Sequence, residues 1–177
     1  MRMLLRTLPA VLVLLVIASA CATRSLEQVA EARAKYEYQR IVRQFQVPFG
    51  DSTNTLERAA LLDKSLQELE ALRANYPNAR PWNAMALRKI GEIYAERGQK
   101  KEALAAFTLV GVRYMSEDWE VIQAWKAAGD LLWSSGMRNQ ALPFYRDIVQ
   151  RYNRPGYPEM YNTIVRIALD RMAEAEK

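Results

Sequence analysis

Residues 82–114 read WNAMALRKIGEIYAERGQKKEALAAFTLVGVRY, and residues 120–152 read EVIQAWKAAGDLLWSSGMRNQALPFYRDIVQRY. Laid over one another at a step of 38, they agree in residue type where a helical hairpin has to close. Gly91 meets Gly129, Gly98 meets Gly136 and Ala103 meets Ala141. Further back, Leu69, Leu72 and Tyr76 recur as Phe107, Val110 and Tyr114, and again as Tyr145, Ile148 and Tyr152. Self-similarity at a fixed period of this length is the mark of stacked supersecondary units.

The residue types say what the unit is. From Trp82 to Ala95 the apolar positions Met85, Ala86, Ile90, Ile93 and Tyr94 fall three or four apart, which puts them on one helical face. Glu96-Arg97-Gly98 stops that helix, since Gly98 accepts the left-handed conformation that other residues resist. A second helix is expected from about Lys100 to Tyr114, turning Ala103, Leu104, Phe107 and Val110 inward. Gly91 and Ala103 are small where the paired helices approach most closely, and Tyr94 and Phe107 fill the space beside them.

Leu87, Ile90, Gly91, Tyr94, Gly98, Ala103 and Phe107 resemble the tetratricopeptide signature, repeated by Trp125, Ala128, Gly129, Leu132, Gly136, Ala141 and Tyr145. Units of that family are commonly 34 residues long, so 38 implies slightly longer helices or connections. The resemblance implies an all-α, right-handed helical-hairpin solenoid of about three helix pairs. A first, degenerate copy has its second helix at roughly Leu56 to Tyr76. Its first helix, roughly Leu26 to Phe45, is long and is followed by an expected loop around Pro48-Phe49-Gly50-Asp51. A last amphipathic helix from near Pro158, with Met160, Tyr161, Ile164, Ala168 and Met172 on one face, is expected to cap the stack. Pro143 falls inside a second helix, which should start late or bend there.

The chain opens with MRMLLRTLPAVLVLLVIASA, a basic start at Arg2 and Arg6 followed by an apolar run from Leu8 to Ala18. That is the layout of a secretory leader, and the run is shorter than the ~20 apolar residues of a permanent membrane span. Ala18-Ser19-Ala20-Cys21 resembles a bacterial lipobox, and Cys21 is the only cysteine of the 177 residues. The resemblance implies cleavage after residue 20 and lipidation of Cys21, leaving residues 21–177 as the helical domain. An ordinary leader with an incidental free cysteine is the alternative. Ala22, by the same resemblance to Gram-negative lipoproteins, implies sorting to the periplasmic face of the outer membrane. Leu72-Arg73-Ala74-Asn75-Tyr76-Pro77 resembles units of BamD-type envelope lipoproteins.

Composition narrows the function. Half of the residues are apolar or aromatic, enough for a core without metal or disulfide staples. The 25 basic and 20 acidic residues leave +5, of which two charges sit in the leader, too mild and too dispersed a balance for nucleic acid. There is no histidine, so the usual general base and the commonest metal ligand are missing. No catalytic residue, metal or cofactor is expected, and an enzyme would have to work through carboxylates such as Glu92 and Asp130.

The expected function is a membrane-anchored scaffold that binds envelope proteins through a concave groove, in outer-membrane protein, pilus or secretin, or export assembly. The candidate groove residues are Arg88, Glu92, Lys126, Asp130 and Trp133. As i,i+4 pairs, Arg88–Glu92 and Lys126–Asp130 also read, residue by residue, as ordinary solvated helix surface. Trp133 reads as core or as groove with equal ease, Trp125 as interior, and Trp82 and Trp119 as packing between units. A periplasmic lipoprotein that delivers a small molecule or peptide to a transporter is the rival reading.

Overall fold

A computed structural model describes residues 8–176, with side chains from residue 23 onward. The remainder of the leader, together with the Cys21 side chain on which the lipobox reading turns, lies outside that description. Helix is the only regular secondary structure of the described residues, which include no strand. In chain order they form α1 (Leu8–Ile41), a π-helical turn (Val42–Gln46), α2 (Val47–Asp51), α3 (Thr55–Asn75), α4 (Arg80–Glu96), α5 (Lys100–Arg113), α6 (Asp118–Ser134), α7 (Arg138–Tyr152) and α8 (Glu159–Ala175).

The 38-residue step governs the boundaries themselves. α6 begins and ends 38 positions after α4, and α7 begins 38 after α5. The turns repeat as well. Gly98 and Gly136 take φ of 72° and 77°. Each closes the same double hydrogen-bonded cap, in which Gly98 N–H donates to Ala95 and Gln99 N–H to Tyr94, while Gly136 donates to Trp133 and Met137 to Leu132. At the close crossings, a β-carbon on Gly91 would lie 2.6 Å from Phe107 Cε1, and one on Gly129 would lie 2.7 Å from Tyr145 Cε1. The repeated positions Leu69, Leu72, Phe107, Val110, Tyr114, Tyr145, Ile148 and Tyr152 are buried in one core.

Two expectations give way. The stretch Pro48-Phe49-Gly50-Asp51 is helical rather than a loop, and the break falls at Ser52–Asn54. Pro48 sits in the first turn of α2, where a missing N–H costs little. The turn before it widens, with Val47 N–H donating to Val42 O, five residues back, so the helix runs on past the proline. α3 then starts on an Asn54 cap whose side chain accepts from Leu56 and Glu57 N–H. The second is the late start, one of the two alternatives at Pro143, since α7 already begins at Arg138. Pro143 and Asn139, whose carbonyl loses a donor, are both exposed, where an unpaired carbonyl costs little.

Sequence neighbours pack in pairs: α1 on α3, then α3 on α4, α4 on α5, α5 on α6, α6 on α7, and α7 on α8. A second set of contacts skips one helix. α1 touches α4, α4 touches α6, and α6 touches α8, whereas α3, α5 and α7 do not touch one another. The helices thus form two rows, and only the first row is in contact along its length.

Candidate interaction surface

α1, α4 and α6 stand side by side, and the seams between them are not filled. Near the start of α4, a cleft of about 510 Å³ is lined by Tyr38, Gln39, Val42 and Arg43 of α1 and the π turn, and by Trp82 and Met85 of α4. Met85 also borders a second cleft of about 250 Å³, whose other walls include Pro81, Glu117, Trp119 and Glu120. Toward the end of α4, a third cleft of about 240 Å³ opens between Phe45, Gln46 and Phe49 on one side and Lys89, Glu92, Ile93 and Glu96 on the other, with Leu61, Leu62 and Ser65 from α3. The widened turn at Val42–Gln46 places Phe45 and Gln46 in that third cleft, next to Phe49 of α2. Aromatic and apolar walls with a few polar groups at the edge suit the anchoring of an apolar side chain.

Between the first and third clefts lies the charged seam of the molecule. Arg88 is only 8% exposed, so it is not the solvated surface charge that its i,i+4 spacing suggests. Its Nε donates to Glu120 Oε2 at 2.6 Å, joining α4 to the first turn of α6, and its Nη1 donates to Glu92. Lys89 reaches Glu92 as well. Burial pulls the Arg88 pKa down, but Glu92 and Glu120 more than offset it, so the net shift is upward and the guanidinium stays charged. Beside it, Tyr38 is pushed up to about 12, chiefly by burial.

The register repeats this motif incompletely. Lys126 and Asp130 occupy the places of Arg88 and Glu92, and they pair in the same way. At the position equivalent to Glu120, however, stands Pro158, and Lys126 is correspondingly more exposed than Arg88. Asp130 gains a different partner, because Tyr145 stands where the earlier unit has Phe107, and its hydroxyl donates to Asp130 at 2.8 Å. Burial and this carboxylate push the Tyr145 pKa up.

Trp133 packs edge-on to Tyr145 with centroids 6.0 Å apart, and the guanidinium carbons of Arg138 and Arg171 each lie 5.0 Å from its ring centroid. It is half-buried, a wall between α6, α7 and α8. The five candidates therefore divide into two groups, Arg88–Glu92 and Lys126–Asp130–Trp133, and no hydrogen bond or ion pair joins them. The tryptophans expected at unit boundaries lie there: Trp82 is 5.8 Å from Tyr38 and Trp119 is 5.2 Å from Tyr161. Trp125 is half-buried against Tyr152 and Gly111. Sequence reasoning missed Glu120, which is 32 residues from Arg88. It also missed Phe45, read only as the end of the long first helix, and Phe49, concealed in a stretch that reads as a turn.

Among the described residues, no group of three or more His, Cys, Asp or Glu could hold a metal ion, and no helix is long and apolar enough to cross a membrane. No protein-family model matches the sequence, and neither a curated protein nor a solved structure resembling it was found.

Proposed function

We propose that the chain is a lipid-anchored scaffold of tetratricopeptide type, tethered through Cys21 at the periplasmic face of the outer membrane, which binds an envelope protein along the first-row helices. One observation carries the reading. Helices of one row touch in succession while those of the other do not, and such a layer curves toward the touching side, making the α1–α4–α6–α8 face the inner, concave one. The clefts at Trp82, Met85 and Phe45 then open into that groove. The anchor for a partner's apolar side chain belongs to the cleft at Trp82 and Met85, rather than to Trp133, which has three side-chain neighbours of its own. Lys126 and Asp130 act from the edge and mainly set the rate and salt dependence of association.

Two measurements test this. A photo-crosslinking residue at Met85, in the full protein in its membrane, is expected to trap one discrete partner, while the same residue at the outward Lys100 traps none. Labelling at both positions, or at neither, would end the groove reading. Mass spectrometry is expected to find an acylated N-terminus at Cys21, and Cys21→Ser to release the protein from the membrane fraction. An unmodified terminus elsewhere would remove the anchor.

The rival reading, delivery of a small solute or peptide, draws on the 240 Å³ cleft with its Phe45, Phe49, Leu62 and Ile93 walls. It requires a solute that raises the unfolding temperature of the isolated protein.

A further inference from the structure

The two ends of the stack are finished differently. At one end, α8 buries Tyr161, Ile164, Val165 and Ala168 and turns Glu159, Thr163, Arg166 and Asp170 to water, with Met160 and Leu169 exposed on opposite sides of the helix and no apolar strip between them. At the other end, α1 buries Ala34, Tyr38 and Ile41, and the π turn adds Phe45. On its outward side, however, Leu26, Val29 and Tyr36 stand 69%, 51% and 60% exposed. At about 100° per residue, Leu26, Val29, Arg33, Tyr36 and Arg40 share roughly one quarter of the circumference of α1, on the side away from the core.

The charges in that strip have one sign. Arg33 makes no ion pair among the described residues, while Arg43, beyond the strip in the π turn, lines the Trp82–Met85 cleft. Arg40 is tied to Glu37, at the strip's border, and to Glu68 of α3. Glu27 and Glu31 fall on another flank of the helix. The strip is thus apolar and cationic. It also lies on the same helix that continues back toward Cys21 and the apolar run before it. Exposed apolar side chains flanked by arginines are what an interfacial helix presents to lipid, the rings and branched chains entering the headgroup region and the guanidinium groups meeting phosphates.

We propose that the outward strip of α1 lies along an anionic membrane surface, with Leu26, Val29 and Tyr36 at the acyl boundary and Arg33 on a lipid phosphate. This rests on the lipid-anchor reading and extends it. A lipid chain alone leaves the body free to swivel, whereas a tether and an adjacent interfacial strip together fix its orientation, so the first-row clefts face one direction for a partner. Val47 and Leu56, both exposed near the turn after α2, are the next apolar side chains at this end of the fold.

The test uses the full protein purified from membranes, in which an acylated Cys21 leaves no free thiol. Single cysteines are introduced as Val29→Cys and Tyr36→Cys in the strip and as Glu31→Cys off it, spin-labelled, and reconstituted into phosphatidylcholine vesicles with or without phosphatidylglycerol. Labels at 29 and 36 are expected to become severalfold less accessible to a water-soluble relaxation agent in the anionic vesicles, and to recover in high salt. The label at 31 should not respond, and Arg33→Gln should weaken protection at 36 about five-fold.

If labels at 29 and 36 stay as wet as at 31 while the protein floats with the vesicles, the strip proposal falls and the anchor stands. Equal protection without the anionic lipid overturns the charge recognition. Immobilised labels in native membranes that become wet in protein-free vesicles assign the strip to a protein partner and overturn the lipid. Spin label taken up by the unsubstituted protein, or failure to float at all, removes the anchor reading and the proposal with it.

Discussion

Arg88→Ala is expected to cost about 3–5 kcal/mol of stability, read as a fall in the midpoint of urea unfolding at unchanged slope. The cost comes less from the lost attraction than from what is left behind. Glu120 is 6% exposed, and among the described residues the Arg88 guanidinium is its ion-pair partner. Without that partner, a carboxylate remains in a site that water reaches poorly. Glu92 suffers less, being more exposed and retaining Lys89. Replacing the whole buried pair, Arg88→Met with Glu120→Leu, is expected to restore most of the loss, because an apolar pair of similar volume needs no solvation. If Arg88→Ala costs no more than Lys100→Ala, which should stay within about half a kcal/mol, the seam between α4 and α6 does not depend on this pair.

What was legible in the sequence is what the packing imposes on every copy. A crossing that brings a helix axis against an aromatic ring needs glycine on one side and the ring on the other, so Gly91 with Phe107 and Gly129 with Tyr145 recur in step. A tight turn with positive φ needs its glycine too, at Gly98 and Gly136. These constraints act locally and identically, and a single sequence displays them. The Arg88–Glu120 pair obeys no such rule. It joins two first-row helices 32 residues apart, and the register that predicts Lys126–Asp130 from Arg88–Glu92 places Pro158 where a second Glu120 would be needed.

The other failures have the same character. Pro48, Gly50 and Asp51 together read as a loop, because turn chemistry and the first turn of a helix favour overlapping residue types. Only the widened turn before them shows which was used. Trp133 could not be assigned from its own helix, since two of its neighbours, Arg138 and Arg171, come from α7 and α8. Its surroundings depend on where the final helix docks, and that helix carries no copy of the repeat to fix its register.

The second large effect is expected at Gly129. Adding a methyl group inside a helix ordinarily returns about 0.5–1 kcal/mol relative to glycine, by restricting the unfolded chain. Here the new carbon would sit 2.7 Å from Tyr145 Cε1, and the ring has no easy retreat. Tyr145 is fully buried and its hydroxyl is held by Asp130, so a shift of the ring also strains a hydrogen bond at its far end. The overlap should outweigh the helix-propensity gain. Gly129→Ala is therefore expected to destabilise, and Gly129→Leu to do so further, by about 1–3 kcal/mol or more. The cause can be isolated with a double-mutant cycle. In a Tyr145→Ala background the space beside residue 129 is empty, so Gly129→Ala should become neutral or stabilising, giving a coupling of about 0.5–3 kcal/mol. Additive effects of the two substitutions would mean that this glycine is not where α6 and α7 approach each other, and the 38-residue alignment would have to be redrawn from that crossing outward.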